Sequence, residues 1–512
     1  MQCIDQEFEI TTSIPGSQDC LRTVFLLQEG NRMNFHAYLE GKRLYFVGIK
    51  GTGMSSLAVM LTEAGVHVEG SDSIEVFQTD WILSSQTIHI DDWSTTAELP
   101  DYIDIVVYSA ACSFATHVQI RQAVEKGLPV YSYPQFLALL TRISTCYGIA
   151  GTHGKTTSTG CVSHMLQHTG LPYYAIYGAT RQQEKPSYYY GDEIGIIESC
   201  EYRDHFLSYE LKGALVTTID YDHPDFFATE QEVERSFWQF ASRIARGGFL
   251  IICTDSDATS ALALRMQQSC PQVTTITYGK HSDMFRLYDY SYETNQSFYK
   301  LAPLEGIFSS RLAGIPLCLD IVGAALLSAC ILLFDNKNVD VEVLKRDGIL
   351  SAMLREGERF LGCTTRSEIM GTDDQITFIN DYAHHPTEIK ITLEALRLHY
   401  PESRIIVIFS PHTVSRTKAF FNGFVQSLSC ADLLFIRNVA PSARDDGDVT
   451  LCQTLADSLA HTANALYIPD DDVLVRRLSG ELHSGDVCVT MGAGNTTSLI
   501  QRLVALFRRS AE

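Results

Sequence analysis

Cys146-Tyr147-Gly148-Ile149-Ala150-Gly151-Thr152-His153-Gly154-Lys155-Thr156-Thr157 is the stretch on which the reading of this chain turns. Its first five residues form an apolar β-run, and the rest form a Gly-Thr loop that opens a helix. A strand ending in such a loop offers backbone N–H groups and a helix N-terminus to an anion. Gly151, Thr152, His153, Gly154 and Thr157 are therefore expected to cradle the phosphates of a nucleotide such as ATP. Lys155 is placed to reach the β and γ phosphates, and Thr156 to hold Mg²⁺. The loop is shorter than the common eight-residue form, since Gly148 falls out of register.

Downstream, strands are expected near Ile194–Ile197, Ala214–Thr218 and Phe249–Cys253. Glu198 closes the first of these, with Glu201 and Asp204 behind it, and Ile219-Asp220-Tyr221-Asp222-His223-Pro224-Asp225 closes the second. Groups at the C-terminal ends of parallel strands face the ligand crevice, so Glu198 and His223 join Thr156 as candidate ligands of Mg²⁺. Upstream, the strand Arg43–Val47 runs into Gly48-Ile49-Lys50-Gly51-Thr52-Gly53-Met54, and Ser71-Asp72 follows about twenty positions later. Ser56 occupies the place of the third glycine of a dinucleotide fingerprint, so this turn predicts a pyrophosphate-bearing ligand without hydride chemistry. A further strand, Ile103–Tyr108, ends at Ser109.

Beyond residue 350, strands at Gln375–Asn380, Arg404–Phe409, Asp432–Ile436 and Asp486–Thr490 alternate with helices at Thr387–Leu398 and Lys418–Leu428. Asp381-Tyr382-Ala383-His384-His385-Pro386 closes one strand, and Pro411-His412-Thr413-Val414-Ser415-Arg416-Thr417-Lys418 closes the next. Polar and basic groups thus collect where a carboxylate and an amine could be held. Adjacent histidines at i and i+1 point apart, which argues against a metal pair.

A chain of 512 residues is too long for one core. The expected layout is an extension over residues 1–40, a first domain at 41–142, a central domain at 143–349 and a third at 350–512. Met33 stands as an alternative start. No run of about 18 apolar residues is apparent, so no membrane insertion is expected, and residues 1–7 do not resemble a secretory signal. The 14 cysteines show no Cys-x-x-Cys spacing, which suits reduced thiols in a cytoplasmic protein. A net charge of −22 argues against nucleic acid as a partner while leaving room for a nucleotide in a locally positive pocket.

Gly48–Met54 with Ser71-Asp72, Gly151–Thr157, Glu198-Ser199-Cys200-Glu201-Tyr202, Ile219–Asp225, Asp381–Glu388, Pro411–Lys418, Ala443-Arg444-Asp445 and Met491–Gly494 occur in one order. In that order they resemble the Mur ligase family, from about residue 42 to the C-terminus. The resemblance implies an α/β chain of three domains: a Rossmann-like UDP-sugar domain, a P-loop central ATPase domain and a Rossmann-like C-terminal domain that receives the amino acid. It implies ATP and Mg²⁺, with Lys155, Glu198, His223, His384 and Arg416 in catalysis. Gly48, Gly51, Thr52, Gly53, Met54, Ser71, Asp72 and Ser109 would lie on the UDP-sugar side, and Tyr382, His384, His385 and Arg416 on the amino-acid side. The phosphate loop with Tyr382-Ala383-His384-His385-Pro386 resembles the muramate-using branch. That implies UDP-N-acetylmuramate and L-alanine as substrates of a monomer or weak homodimer. The alternatives are a ligase adding a tripeptide to the same sugar nucleotide in cell-wall recycling, and a non-catalytic nucleotide-binding subunit. Three departures stand out. Pro316-Leu317-Cys318-Leu319-Asp320-Ile321-Val322-Gly323 replaces the family's His-Asn-x-x-Asn, which in part holds adenine. Glu358-Arg359 stands for an Arg-Arg pair, and Asn495 for an aspartate.

Overall fold

The computed structural model describes residues 35–510 apart from 76, 96–97, 185–187, 335–337, 374–375, 441–448 and 495. Ala443-Arg444-Asp445, Asn495 and the first 34 residues lie outside the described residues. The expected extension ends earlier than residue 40, because Phe35–Leu39 forms a helix that buries Phe35 and Leu39.

Three sheets organise the chain. The first is wholly parallel, in the order His89–Asp92, His67–Asp72, Arg43–Val47, Ile105–Tyr108, Val130–Ser132. Its strand Arg43–Val47 is apolar on both faces because both are covered. Leu44 and Phe46 enter one core with Leu57 of the helix Thr52–Glu63, and Tyr45 and Val47 enter another with Ile120 and Ala123. Chain order reverses between Arg43–Val47 and Ile105–Tyr108. A crevice therefore opens where Gly48 and Ser109 leave the sheet.

The central sheet has nine strands. Six parallel strands run in the order Thr274–Gly279, Phe249–Cys253, Gly213–Val216, Thr145–Ala150, Ile194–Glu198, Tyr173–Ile176. Phe285–Glu293, Gln296–Ala302 and Phe308–Ser310 extend the Thr274–Gly279 edge, the last two by antiparallel pairing. Against this sheet pack the loop helix Lys155–Leu166 and the core helix Ile315–Leu333. The core helix corrects the reading that no run is apolar enough to span a membrane: its hydropathy reaches 2.3 and only Asp320 interrupts it. It is 78% buried inside the domain, as the centre of a core would be.

The expected boundary at 349/350 also moves. Ile349–Gly357 packs on the core helix, and Leu350, Leu354, Phe360 and Cys363 belong to the central core. The chain leaves that core only at Thr364–Ser367. There Thr364 N donates to Thr180 O at 2.8 Å, and the Gln182 side chain donates to Cys363 O at 2.9 Å and to Arg366 O at 3.0 Å. Thr365 and Ser367 both take left-handed backbone angles at this crossing (φ 59° and 47°). The third sheet runs Glu368–Asp373, Ile376–Asp381, Val487–Gly492, Ile405–Ser410, Leu433–Ile436, Ala465–Tyr467, with only Glu368–Asp373 antiparallel. The expected helix over 418–428 is two, Val414–Ala419 and Phe421–Leu428, joined at Phe420.

Candidate functional site

The phosphate loop sits at the C-terminal end of Thr145–Ala150, beside the end of Gly213–Val216. Thr152 N donates to Thr218 O (2.9 Å), His153 N to Thr218 Oγ1 (2.9 Å) and Asp220 N to Thr152 Oγ1 (2.9 Å), so the two strand-end loops hold each other. Gly151 and Gly154 both have positive φ (143° and 81°), which a side chain would resist. Lys155 Nζ donates to the Gly151 and Thr152 carbonyls and to Glu201 Oε2 at 3.0 Å. Burial opposes the ammonium, and the nearby Glu201 carboxylate, itself 2% exposed, more than restores its charge. The site opens into a cavity of about 810 Å³ bounded by the loop, Glu198, His223, the start of the core helix and the C-terminal domain.

Thr156 Oγ1 donates to Glu198 Oε1 (3.0 Å), and Gly178 N donates to Glu198 Oε2 (3.0 Å). Both Thr156 and Glu198 also line a second cavity of about 240 Å³. His223, held in left-handed geometry (φ 54°), is kept neutral because burial, assisted by Arg416 and Lys155, pushes its pKa down to about 4. A hydroxyl, a carboxylate and a neutral imidazole around a phosphate site form a donor set that suits Mg²⁺.

Asp222, next to His223, explains where Arg416 goes. Arg416 Nε donates to Asp222 Oδ1 at 2.8 Å and Nη2 to Oδ2 at 3.0 Å, with the side chains 3% and 7% exposed. Burial alone would raise the Asp222 pKa; the Arg416 guanidinium and the neighbouring histidines hold it far below the carboxylate range. Two N–H groups of Arg416 are thereby engaged by another domain, while the side chain still lines the main cavity. Its Nη1 meets His412 Nδ1 at 2.6 Å.

His384 lines the main cavity. Its Nδ1 meets Tyr382 O at 2.8 Å, the geometry of an N–H donating to a carbonyl, which leaves Nε2 as an acceptor. Tyr382 lines both cavities. His385, expected beside them, does not line either. It caps the helix Pro386–His399, Nδ1 accepting from Thr387 N at 3.3 Å, and packs its ring on His153 at 4.8 Å and Phe420 at 4.6 Å. His153, Asp220 and His385 bring candidate metal-binding atoms within 4.8 Å of one another. The capping bond leaves the His385 N–H, not a lone pair, on Nε2, where it meets no hydrogen-bond partner among the described residues. His153 faces Asp220 at 3.2 Å and Glu388 at 3.4 Å. Burial pulls its pKa down, and the two carboxylates outweigh that and raise it to about 9.

Of the residues expected on the UDP-sugar side, Thr52 and Gly53 line the second cavity with Gln78, Tyr133, His205 and Arg366. A Cβ at Gly53 would meet the Tyr133 ring at 2.7 Å, and one at Gly48 would meet Ser109 Cβ at 2.8 Å. Gly51 N donates to Gly48 O at 3.3 Å, closing the turn. Asp72 accepts from Lys50 N and Ser73 N, both at 2.7 Å, and so braces the Gly-rich turn. Met54 and Ser71 are core residues, 3% and 0% exposed; Ser71 donates to Gln119 at 2.6 Å.

Arg366 was missed. It lines both cavities, stacks over Tyr382 at 5.1 Å and faces Glu388 at 4.0 Å. Glu358-Arg359, which stands for the family's Arg-Arg pair, lines neither cavity: Glu358 accepts from Ser309 N, and Arg359 is 75% exposed and paired with Glu356. Glu201, Asp222, Asp320 and Glu388 were also passed over as site residues. Asp222, Glu201 and Glu388, each within three residues of a named site residue, carried a local signal.

Comparisons with known proteins agree with this architecture. The family models described as Mur ligase family, catalytic domain; Mur ligase middle domain; and Mur ligase, glutamate ligase domain match residues 43–145, 149–318 and 365–494. The UDP-N-acetylmuramate--L-alanine ligase of Treponema pallidum (strain Nichols) is 30% identical over 475 residues, covering 92% of this chain and 98% of the relative. That of Desulfitobacterium hafniense is 33% identical over 466 residues, covering 90% and 99%. Among solved structures, the UDP-N-acetylmuramate-alanine ligase of Thermotoga maritima has a TM-score of 0.73 at 22% identity, covering 91% of this chain and 99% of its own. A murein peptide ligase from Psychrobacter arcticus has a TM-score of 0.64 at 21% identity, covering 91% and 99%. Three domains in the same order, matched by three family models and by relatives covered almost end to end, place the chain in the Mur ligase family.

Proposed function

We propose that the chain ligates L-alanine to the lactyl carboxylate of UDP-N-acetylmuramate, converting ATP to ADP and phosphate in the cytoplasmic synthesis of peptidoglycan precursor. One observation carries the reading: Thr156 and Glu198 line both the nucleotide cavity and the cavity beside the Gly48–Met54 domain, so a phosphoryl donor and a sugar-nucleotide carboxylate can meet there. The names and coverage of the relatives support the choice of substrates.

The γ-phosphoryl group passes from ATP to a carboxylate oxygen, giving ADP and an acyl phosphate. Lys155, held against the loop carbonyls, and Arg366, between the cavities, meet the charge on the transferring group. Thr156, Glu198 and His223 would hold Mg²⁺, which when bound neutralises phosphate charge. The amine of alanine then attacks the acyl carbon, phosphate leaves with the C–O bonding pair, and it takes up the proton that the nitrogen gives up. His384 Nε2 is free to accept an N–H of that amine. Contact between the C-terminal domain and the phosphate loop, through His153–Glu388 and Asp222–Arg416, keeps water from the acyl phosphate. The reading takes the working form as a monomer or weak homodimer.

The test is phosphate release from ATP with Mg²⁺ and UDP-N-acetylmuramate, scanning L-alanine, other amino acids and a cell-wall tripeptide. Release requiring both the sugar nucleotide and L-alanine supports the reading. A response to the tripeptide alone moves the chain to a recycling ligase, and no response to any acceptor refutes ligation.

A further inference from the structure

Asp320 sits in the second turn of the core helix and lines the main cavity, 8% exposed. Its carboxyl group lies directly on the phosphate loop: a Cβ added to Gly154 would stand 2.3 Å from Asp320 Oδ1. No ion pair involves it among the described residues. An ionised carboxylate in that position would face the phosphates of any nucleotide the loop holds. A carboxylic acid there would instead offer them an O–H donor.

The groups around it decide between the two forms. Its charge is felt by Cys161 and Ser158 of the loop helix, His153 of the phosphate loop, Cys253 and Tyr278 at two strand ends, Cys318 of its own helix and Arg366 at the domain crossing. Most of this shell is thiol and ring. Burial pushes the Asp320 pKa up to about 8, with Ser158, His153 and Arg366 only partly opposing it.

We propose that Asp320 contacts the bound nucleotide as a carboxylic acid, its O–H donating a hydrogen bond beside the phosphate loop, so that its ionisation weakens nucleotide binding. This deepens the ATP-dependent reading above and rests on it.

Among the groups facing Asp320, the thiols and the phenol are pushed up by burial, Cys253 and Cys318 to about 12. His153, at about 9, is the one other group titrating in the window. The test is direct calorimetric binding of ADP with Mg²⁺ between pH 6.5 and 9.5, for wild type and Asp320→Asn. With ionisation near pH 8, wild-type affinity should fall about tenfold more than that of Asp320→Asn between pH 7 and 9. Parallel curves for the two proteins overturn the proposal. Should Asp320→Asn fail to fold, wild type titrated at pH 8 in buffers of different protonation enthalpy gives a second reading. Uptake of about half a proton supports the proposal, since His153 is already protonated there, and zero uptake or release overturns it. Wild type that binds no ADP at any pH refutes the nucleotide reading itself, a result distinct from either.

Discussion

Arg416 and Asp222 join the C-terminal domain to the strand end that carries His223, and separating them is the sharpest test of how this site closes. The pair is bidentate, with contacts of 2.8 and 3.0 Å, and almost wholly buried. At an effective dielectric of about 20, unit charges about 3 Å apart attract by roughly 5–6 kcal/mol. Removing one member of a buried pair typically costs about 3–5 kcal/mol, because the other stays behind uncompensated. If about 3 kcal/mol of that is lost from the closed form, kcat/KM for L-alanine falls roughly 150-fold. Arg416→Met and Asp222→Leu should each show a loss of this order. The double variant should be no worse than either alone, a coupling of about 2–3 kcal/mol in a double-mutant cycle. A guanidinium that served instead as the amino-acid ligand would give another pattern: Arg416→Met would raise KM for alanine and Asp222→Leu would not. That pattern, or multiplicative effects in the double variant, would sink the closure argument.

Lys155→Ala should abolish phosphate release while the circular dichroism stays native, and its melting temperature should fall, because the buried Glu201 loses its cation. Gly154→Ala should weaken ADP binding at least about tenfold by calorimetry, because φ of 81° is hostile to a Cβ that must also displace Asp320. Glu198→Gln should shift the Mg²⁺ dependence of turnover to higher concentration; an unchanged Mg²⁺ curve would remove Glu198 from the metal site. His153 has a pKa raised from 6.5 to about 9 in the folded protein, so the stability it adds is full below about pH 6.5 and is lost as pH rises through about 9. The melting-temperature gap between wild type and His153→Gln should therefore shrink from pH 6.5 to 9.5.

What could be read from the chain was what is local to it. The phosphate loop announces itself because the strand, the glycines and Lys155 are consecutive. Glu198 and His223 follow from their places at strand ends. Arg366 was not legible, since its importance comes from a crossing that brings it between two cavities and not from any neighbour in sequence. The Asp222–Arg416 pair spans 194 positions and could not be inferred from either segment. The strands from Phe285 to Ser310 went unseen because Gln296–Ala302 buries only alternate residues, a fainter signal than the continuous apolar runs of the parallel strands. The boundary at 350 failed for a related reason: Ile349–Gly357 is amphipathic and looks like the opening of a new unit, yet its apolar face belongs to the preceding core.

The crossing at Thr364–Ser367 also sets the mechanics of the molecule. Gln182 and Thr180 pin the chain to the central domain within a few residues of Arg366. Arg366 lies within those bonds, whereas Arg416 meets the central domain through its ion pair with Asp222. The C-terminal domain is thus held to the central domain in two chemically different ways, by uncharged hydrogen bonds beside Arg366 and by a charged pair at Arg416, and only the second depends on ionisation.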